Sequence, residues 1–418
     1  MTAWLRRLVM AVGVLGVAVS ADAQWMTQTQ TPAPAKPEDK PADKPEEKPK
    51  TLWEEITLFA YIENSYVWNL GHTGRHDVNE LRFYDFDAGY SFNMAEFSIK
   101  KDPTDLRPWG FGVVVTAGLD AQKNHALGIF RDEDDQFPFR NTAKFDLQEA
   151  YGAYKFDVGS GLTVKAGKFV TLLGYEVIEA PNNLNFSRSF LFGLAIPLTH
   201  VGALFSYSPT EWLSLTAGPV VGWDVAKDNN SGMSVMGQIA FTGVKDLTTS
   251  LNFITGPEQA HQRTNPRTVL DFVATYTGFK NLTLGGNFDY GWEVDEPSLA
   301  ATRSQSTNAA WWGYAGYVAY DWTEKLRTAF RGEFFRDADG ARTLAIAPGT
   351  PVSLWEITAT VQYKIWKGLV GRLEYRHDQS DENVYRVRYS RPDITSQGLL
   401  ARGKSMDTIS VSLYYSFF

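Results

Sequence analysis

The chain of 418 residues contains no cysteine, which excludes disulfides and thiolate chemistry. After residue 23 it has no run approaching the ~20 consecutive apolar residues that a membrane-spanning helix needs. Any later membrane span therefore has to be made of strands. Basic charge is not in excess either. The formal net charge is −8, and loss of residues 1–23, which carry Arg6 and Arg7 against Asp22, takes it to about −9. Such a balance gives no reason to invoke nucleic acid. Nucleophile motifs and phosphate-binding glycine loops are not recognisable.

What is present begins with Arg6 and Arg7 ahead of an apolar run over 8–19 and the small residues Ala21-Asp22-Ala23. This pattern reads as a secretory signal peptide over 1–23. Residues 24–55 follow as a Pro, Lys and Glu-rich stretch (Pro37-Glu38-Asp39-Lys40-Pro41), expected to be an extended periplasmic tether because it cannot bury a core. It either contacts the cell wall or serves only as a leader.

From residue 56 to 418 the pattern changes to alternating runs. At the C-terminus Ile409, Val411, Leu413, Tyr415 and Phe417 alternate with Thr408, Ser410, Ser412, Tyr414 and Ser416. One greasy and one wet face ending in aromatics is the pattern of a strand between lipid and lumen. The same alternation predicts about sixteen strands, near 57–68, 82–100, 109–120, 144–156, 162–170, 200–208, 212–224, 232–243, 247–255, 268–277, 282–293, 309–321, 326–336, 353–365, 369–378 and 406–418. Short polar turns alternate with long loops at 121–143, 171–199, 256–267, 294–308, 337–352 and 379–405. The expected fold is all-β, a transmembrane antiparallel up-and-down β-barrel in the outer membrane. Trp292, Trp312, Trp322, Trp355 and Trp366 near strand ends fit interfacial girdles. An even strand count puts both ends in the periplasm.

The third long connection combines Gly174-Tyr175-Glu176, Glu179-Ala180-Pro181-Asn182-Asn183 and Ser187-Arg188-Ser189-Phe190, between Gly167-Lys168-Phe169 and Pro197-Leu198-Thr199-His200. With Arg331-Gly332-Glu333-Phe334-Phe335-Arg336-Asp337 and Arg372-Leu373-Glu374-Tyr375-Arg376-His377-Asp378, it resembles the OmpL-like β-barrel porins of Gram-negative bacteria. The resemblance implies a passive outer-membrane pore and extends over everything after the tether.

In a sixteen-stranded barrel the third loop can fold inward, which would place Glu176, Glu179 and Arg188 at a pore constriction. The other reading is an external loop folded on itself. Side chains two apart share a strand face, so Arg327, Arg331 and Glu333, then Arg372, Glu374 and Arg376, form charged columns on the lumen wall. They are expected to be solvent-exposed, opposite the acidic positions Asp120, Asp224, Asp289 and Glu293, and either set a transverse field or brace the wall. Asp132-Glu133-Asp134-Asp135 offers oxygens for a hard cation or a lipopolysaccharide bridge, or is a solvated loop. His72 and His76 straddle Gly74 and read as loop rather than as a zinc site.

The function read from these residues is a porin for small polar solutes and ions. The alternatives are a plugged or narrow structural barrel and an outer-membrane hydrolase. No cofactor or metal is expected; lipid, lipopolysaccharide and the barrel-insertion machinery are the expected partners, in a homotrimer or a monomer.

Overall fold

The computed structural model describes residues 50–71, 81, 88–130, 143–296, 308–343, 349–386 and 402–417. The signal peptide, nearly all of the tether, His72, His76 and 132–135 lie outside the described residues. The barrel strands are β1 (Ile56–Asn69), β2 (Gly89–Lys101), β3 (Trp109–Ala117), β4 (Phe145–Phe156), β5 (Leu162–Val170), β6 (Thr199–Thr210), β7 (Leu213–Val220), β8 (Ser234–Val244), β9 (Leu247–Pro257), β10 (Pro266–Phe279), β11 (Leu282–Glu293), β12 (Ala309–Asp321), β13 (Leu326–Asp337), β14 (Val352–Trp366), β15 (Leu369–Ser380) and β18 (Ser405–Ser416). A separate two-stranded sheet, β16 (Tyr385–Arg386) with β17 (Arg402–Gly403), sits in the last long loop.

Each barrel strand pairs antiparallel with its neighbours, and β1 pairs with β18, from Tyr61 opposite Ser416 to Asn69 opposite Thr408. Closure leaves no unpaired strand edge, as a sheet in hydrocarbon requires. Alternation decides the two faces. Along β18, Thr408, Ser410 and Ser412 are buried inward while Val411 and Leu413 are exposed outward. Aromatic contacts form two belts on the outer face: Tyr66 with Trp68, Tyr290 with Trp292 and Trp312 with Phe334 toward the long loops, then Tyr154 with Phe156, Tyr320 with Trp322 and Tyr415 with Phe417 toward the short turns. These belts suit the two membrane interfaces.

Two expectations need correction. Residues 52–55, expected to be extended, form a helical turn, because the Glu54 side chain reaches back to the Thr51 backbone N–H at 2.7 Å. Glu55 then pairs with Arg107 at 2.6 Å and Lys101 at 3.3 Å. The inward face is also not uniformly wet. Toward the long loops it carries Met236, Ile254, Val269, Trp311, Phe335, Val352, Leu354 and Met406, packed into one apolar cluster with Phe186, Phe190 and Leu191 of the third long connection. Period two specifies which side a residue faces, and both sides can be dry if chain fills the lumen.

Three short turns share a lysine followed by a left-handed residue: Lys245-Asp246, Lys280-Asn281 and Lys367-Gly368, with φ of 61°, 62° and 78° at the second position. Pairing registers shift beside each, at Phe241/Val244, Tyr276/Phe279 and Lys364/Trp366. The geometry is that of a type I turn closed by a bulge. At Gly368 a Cβ would lie 2.3 Å from the Ser416 carbonyl oxygen. Gly368→Val is expected to cost about 1–3 kcal/mol and to lower the temperature at which the folded barrel loses its fast mobility in detergent gels. Lys367→Ala, with its side chain in solvent, should leave that temperature unchanged.

Candidate functional site

Residues 171–198 leave β5, cross the lumen and return to β6. Most of this segment has no regular secondary structure, so its buried backbone groups need partners from elsewhere. The barrel wall supplies many of them. Gly174 N donates to Asp271 on β10 at 3.1 Å and Tyr175 N to Asn287 on β11 at 3.2 Å. The Tyr175 ring stacks on Tyr317 of β12, centroids 4.1 Å apart. Ala180 N donates to the Tyr61 hydroxyl on β1 at 3.3 Å, and the Asn185 side-chain amide donates to the Thr360 hydroxyl on β14 at 2.7 Å. Trp311 Nε1 and Arg342 Nε donate to the carbonyls of Ala195 and Leu194 at 3.1 and 2.6 Å.

The tightest fastening comes from two Arg-x-Glu columns. Glu374 accepts the backbone N–H groups of Phe186 and Ser187 at 2.7 and 3.0 Å. Glu333 accepts those of Phe190 and Leu191 at 2.7 and 2.6 Å. The arginines take the carbonyls: Arg331 that of Ser187 at 2.7 Å, Arg372 those of Ala180 and Asn183 at 3.1 and 2.8 Å, and Arg376 that of Arg188 at 2.5 Å. Alternation makes this possible, because arginine and glutamate two apart point to the same side and match a backbone that offers both acceptors and donors. Small side chains on β12 leave room, and a Cβ at Gly313 would lie 2.7 Å from the Leu191 side chain.

Among the residues singled out in the sequence, Glu176 is engaged by the wall and by its own segment. It bonds Arg331 directly at 2.7 Å and accepts Ser189 N at 2.7 Å. Arg331 completes its fork on Glu356 at 2.6 Å, and Arg376 on Asp378 at 2.7 Å. Arg188 folds back on its own segment, donating to the carbonyls of Val177, Phe186 and Ile178 at 3.0, 2.8 and 3.0 Å. Glu179 accepts Gln148 of β4 at 2.7 Å, and burial raises its carboxyl above the usual range. Arg327 pairs with Asp321 at the end of β12 at 2.6 Å.

The wall charges are buried, contrary to the exposure expected of them: Arg331, Glu333, Arg372, Glu374 and Arg376 are each at most 5% exposed, because the crossing segment covers them. Nor do the acidic positions stand opposite the arginines. Asp289 and Glu293 lie on β11, two strands from β13 on the same side of the barrel, and Glu293 pairs with Arg267 at 2.7 Å. Asp224 accepts Leu198 N and Thr199 N at 2.8 and 2.9 Å where the segment re-enters β6. Asp120 precedes a short helical turn in the second long loop.

Sequence reading passed over Glu356, Tyr61, Glu63, Glu96, Asp146, Gln148 and Trp311. Every one lies inward, and extending the wet-face register along β1, β2, β4 and β14 finds most of them. Trp311 was hidden because its neighbour Trp312 carries the belt signal.

At the long-loop end Arg342 lies between Trp223 and Trp311, 4.9 and 5.2 Å from the rings, and Arg267 lies 5.0 Å from Trp223. Glu258 holds this roof, accepting Trp223 N at 2.6 Å and the Ser234 hydroxyl at 2.5 Å. Burial pushes its carboxyl up to about 7 despite the Arg267 guanidinium nearby.

The model of the family described as "Putative beta-barrel porin-2, OmpL-like" matches residues 55–417. No curated protein matches the sequence. Solved structures with the same architecture include the anion-selective porin from Comamonas acidovorans, at TM-score 0.55 and 10% identity over 87% of this chain and 99% of that one. Salmonella typhi OmpF in complex with daunomycin aligns at TM-score 0.56 and 12% identity over 87% and 97%. The outer-membrane channel DcaP of Acinetobacter baumannii aligns at 0.52 and 10% over 87% and 97%.

Glu333→Ala with Glu374→Ala leaves four buried amides unpaired, at about 1–3 kcal/mol each. The double variant should exchange the amide protons of residues 186, 187, 190 and 191 at least tenfold faster while the strands stay protected. Unchanged exchange at those four amides would show that the carboxylates do not hold the segment.

Glu258 sits above its unfolded value of 4.5, so its contribution to stability is complete below about 4.5 and is lost as pH rises through about 7. Tryptophan fluorescence should therefore shift with a midpoint near neutral pH, and Glu258→Gln or Trp223→Phe should remove the transition.

Proposed function

On the premise that the chain belongs to the OmpL-like family of outer-membrane β-barrel porins, we propose that it conducts small polar solutes and ions past residues 171–198, which narrow the lumen as a fixed shelf. The observation that carries this reading is the attachment of that segment to one side of the wall. Its Arg-x-Glu contacts all fall on β13 and β15. The wall from β2 to β5 meets it through Gln148, which bonds Glu179, and through Met94, which packs with Ile178 and Ala180. On that side Lys100, Tyr151 and Lys165 are part-exposed on the inward face. The solute path runs there, and the arginines act as supports for the shelf.

In this reading the short turns and both termini lie in the periplasm, residues 24–49 form a tether there, and the long loops face outward. Lipid and lipopolysaccharide surround the outer face, and insertion uses the C-terminal strand. A trimeric form is named for a structurally similar protein, OmpT of Vibrio cholerae, and a homotrimer is proposed here. No catalytic role is proposed. A histidine–aspartate pair of the kind a hydrolase uses does occur, His377 with Asp407 at 2.8 Å, but the same Asp407 oxygen accepts the Tyr375 hydroxyl at 2.6 Å on the lipid-facing side. That arrangement fits interfacial bracing.

Reconstituted protein should raise planar-bilayer conductance in discrete steps. Releasing the shelf with Glu333→Ala plus Glu374→Ala should raise the single-channel step severalfold. Correctly folded protein that passes no ions would favour a plugged structural barrel.

A further inference from the structure

The second long loop turns inward as it leaves β3. Leu119 N and Asp120 N donate to the Phe92 and Asn93 carbonyls at 3.3 and 3.0 Å, and Ala121–Lys123 form a single helical turn. His125 Nε2 donates to the Phe145 carbonyl at 2.8 Å and Lys144 donates to Gln122, both where β4 begins. Leu127 then pairs in parallel with Val225, beyond the end of β7. Leu127 N donates to the Asp224 carbonyl at 2.7 Å, and Ala226 N to the Leu127 carbonyl at 2.8 Å. The strand order puts β4, β5 and β6 between these two ends. Residues 119–127 therefore form a strap that bridges about 19 Å of the rim, at ~4.8 Å per strand.

The strap lies on the shelf. Ala121, with no exposed surface, shares one packed cluster with Tyr61 and Met94 of the wall and with Ile178, Ala180 and Leu198 of the shelf. From Asp120 to Ala126 the strap is at most 7% exposed. The side of the lumen assigned to the solute path is thus covered at its outer end. One residue joins strap to shelf. Asp224 takes Leu198 N and Thr199 N of the shelf on its side chain and Leu127 N of the strap on its carbonyl, holding a left-handed φ of 54°.

Strap and shelf are held differently. The shelf is fixed by carboxylates and guanidiniums of β13 and β15, whereas the far end of the strap is held by the two backbone bonds of a short bridge. The buried apolar side chains of the strap, Ala121 and Ala126, are small. Gly118 and Gly128 bracket it with φ of 127° and 89°, a backbone that glycine adopts freely and that suits a hinge. At Gly118 a Cβ would lie 2.3 Å from the Asn93 carbonyl oxygen. We propose that residues 119–127 are a movable gate over the pore, an inference that rests on the proposed porin function. Seated, they close the outer end of the path beside β2 to β5. Hinging at Gly118 and Gly128, with loss of the bridge between Leu127 and Val225, opens it. The shelf stays fixed in both states.

The chain has no cysteine, so one engineered disulfide tests the gate. Leu127→Cys with Val225→Cys joins the bridge partners on oxidation. In planar bilayers the reduced variant should open in steps like those of the wild type. The oxidised form, its disulfide verified by mass, should spend at least tenfold less time open, and reductant should restore it. Conductance that is the same oxidised and reduced would overturn the gate. If neither the wild type nor the reduced variant passes ions, the pore reading fails separately, and thiol accessibility decides the gate alone. In the detergent-folded barrel Ala121→Cys should react with a polar maleimide at least tenfold faster than Ala329→Cys, a comparably buried position on the inward face of β13, because lifting the strap exposes the first and not the second. Equal rates would show that the strap does not lift.

Discussion

An irregular chain buried inside a barrel has to find a partner for every buried peptide group, and the structure follows from that constraint. A strand satisfies its backbone by pairing and a helix by internal bonds, but residues 171–198 do neither along most of their length. Their amides and carbonyls are met by side chains that alternate in sign along β13 and β15. A carboxylate accepts two successive N–H groups, and a guanidinium donates to nearby carbonyls. The columns look like a device for ion selectivity when read as charges, and like a substitute for a neighbouring strand when read as hydrogen bonds. Their burial favours the second description, because the charges are consumed by contacts at 2.5–3.1 Å.

The interior is therefore asymmetric. One side is a closed network in which Arg331 bridges Glu356 and Glu176 and each ion has both a counter-charge and further hydrogen bonds, the condition under which buried ion pairs persist. The other side, from β1 to β4, holds carboxylates and amide oxygens with fewer partners. Toward the long loops, apolar side chains from wall and shelf pack together, with Arg342 between two indole rings.

Much of the fold was legible because hydrocarbon on one side and polar chain on the other impose period two, and the tight turns carry lysine followed by aspartate, asparagine or glycine. The strands expected at 162–170, 282–293 and 309–321 are those observed at Leu162–Val170, Leu282–Glu293 and Ala309–Asp321. The inward placement of Glu333 and Glu374 was also legible, since face follows from parity. Pairing was not. That Glu176 bonds Arg331, or that Glu374 takes the amides of Phe186 and Ser187, depends on where a long loop lands across the barrel. No local spacing encodes a contact across 188 positions. The same limit hid the apolar interior, because Trp311 and Phe335 look like belt residues until something is known to cover them.

The distance along the chain between shelf and supports bears on how the barrel is made. Residues 171–198 are synthesised and exported well before β13 and β15, and their anchoring glutamates arrive 142–188 positions later. Until then their amides have only water for partners, so the segment cannot settle in a half-built sheet. Seating of the shelf thus reports completion: only a barrel whose last strands have joined β1 presents the full set of acceptors, and a chain stalled before that point keeps a solvated, protease-accessible loop.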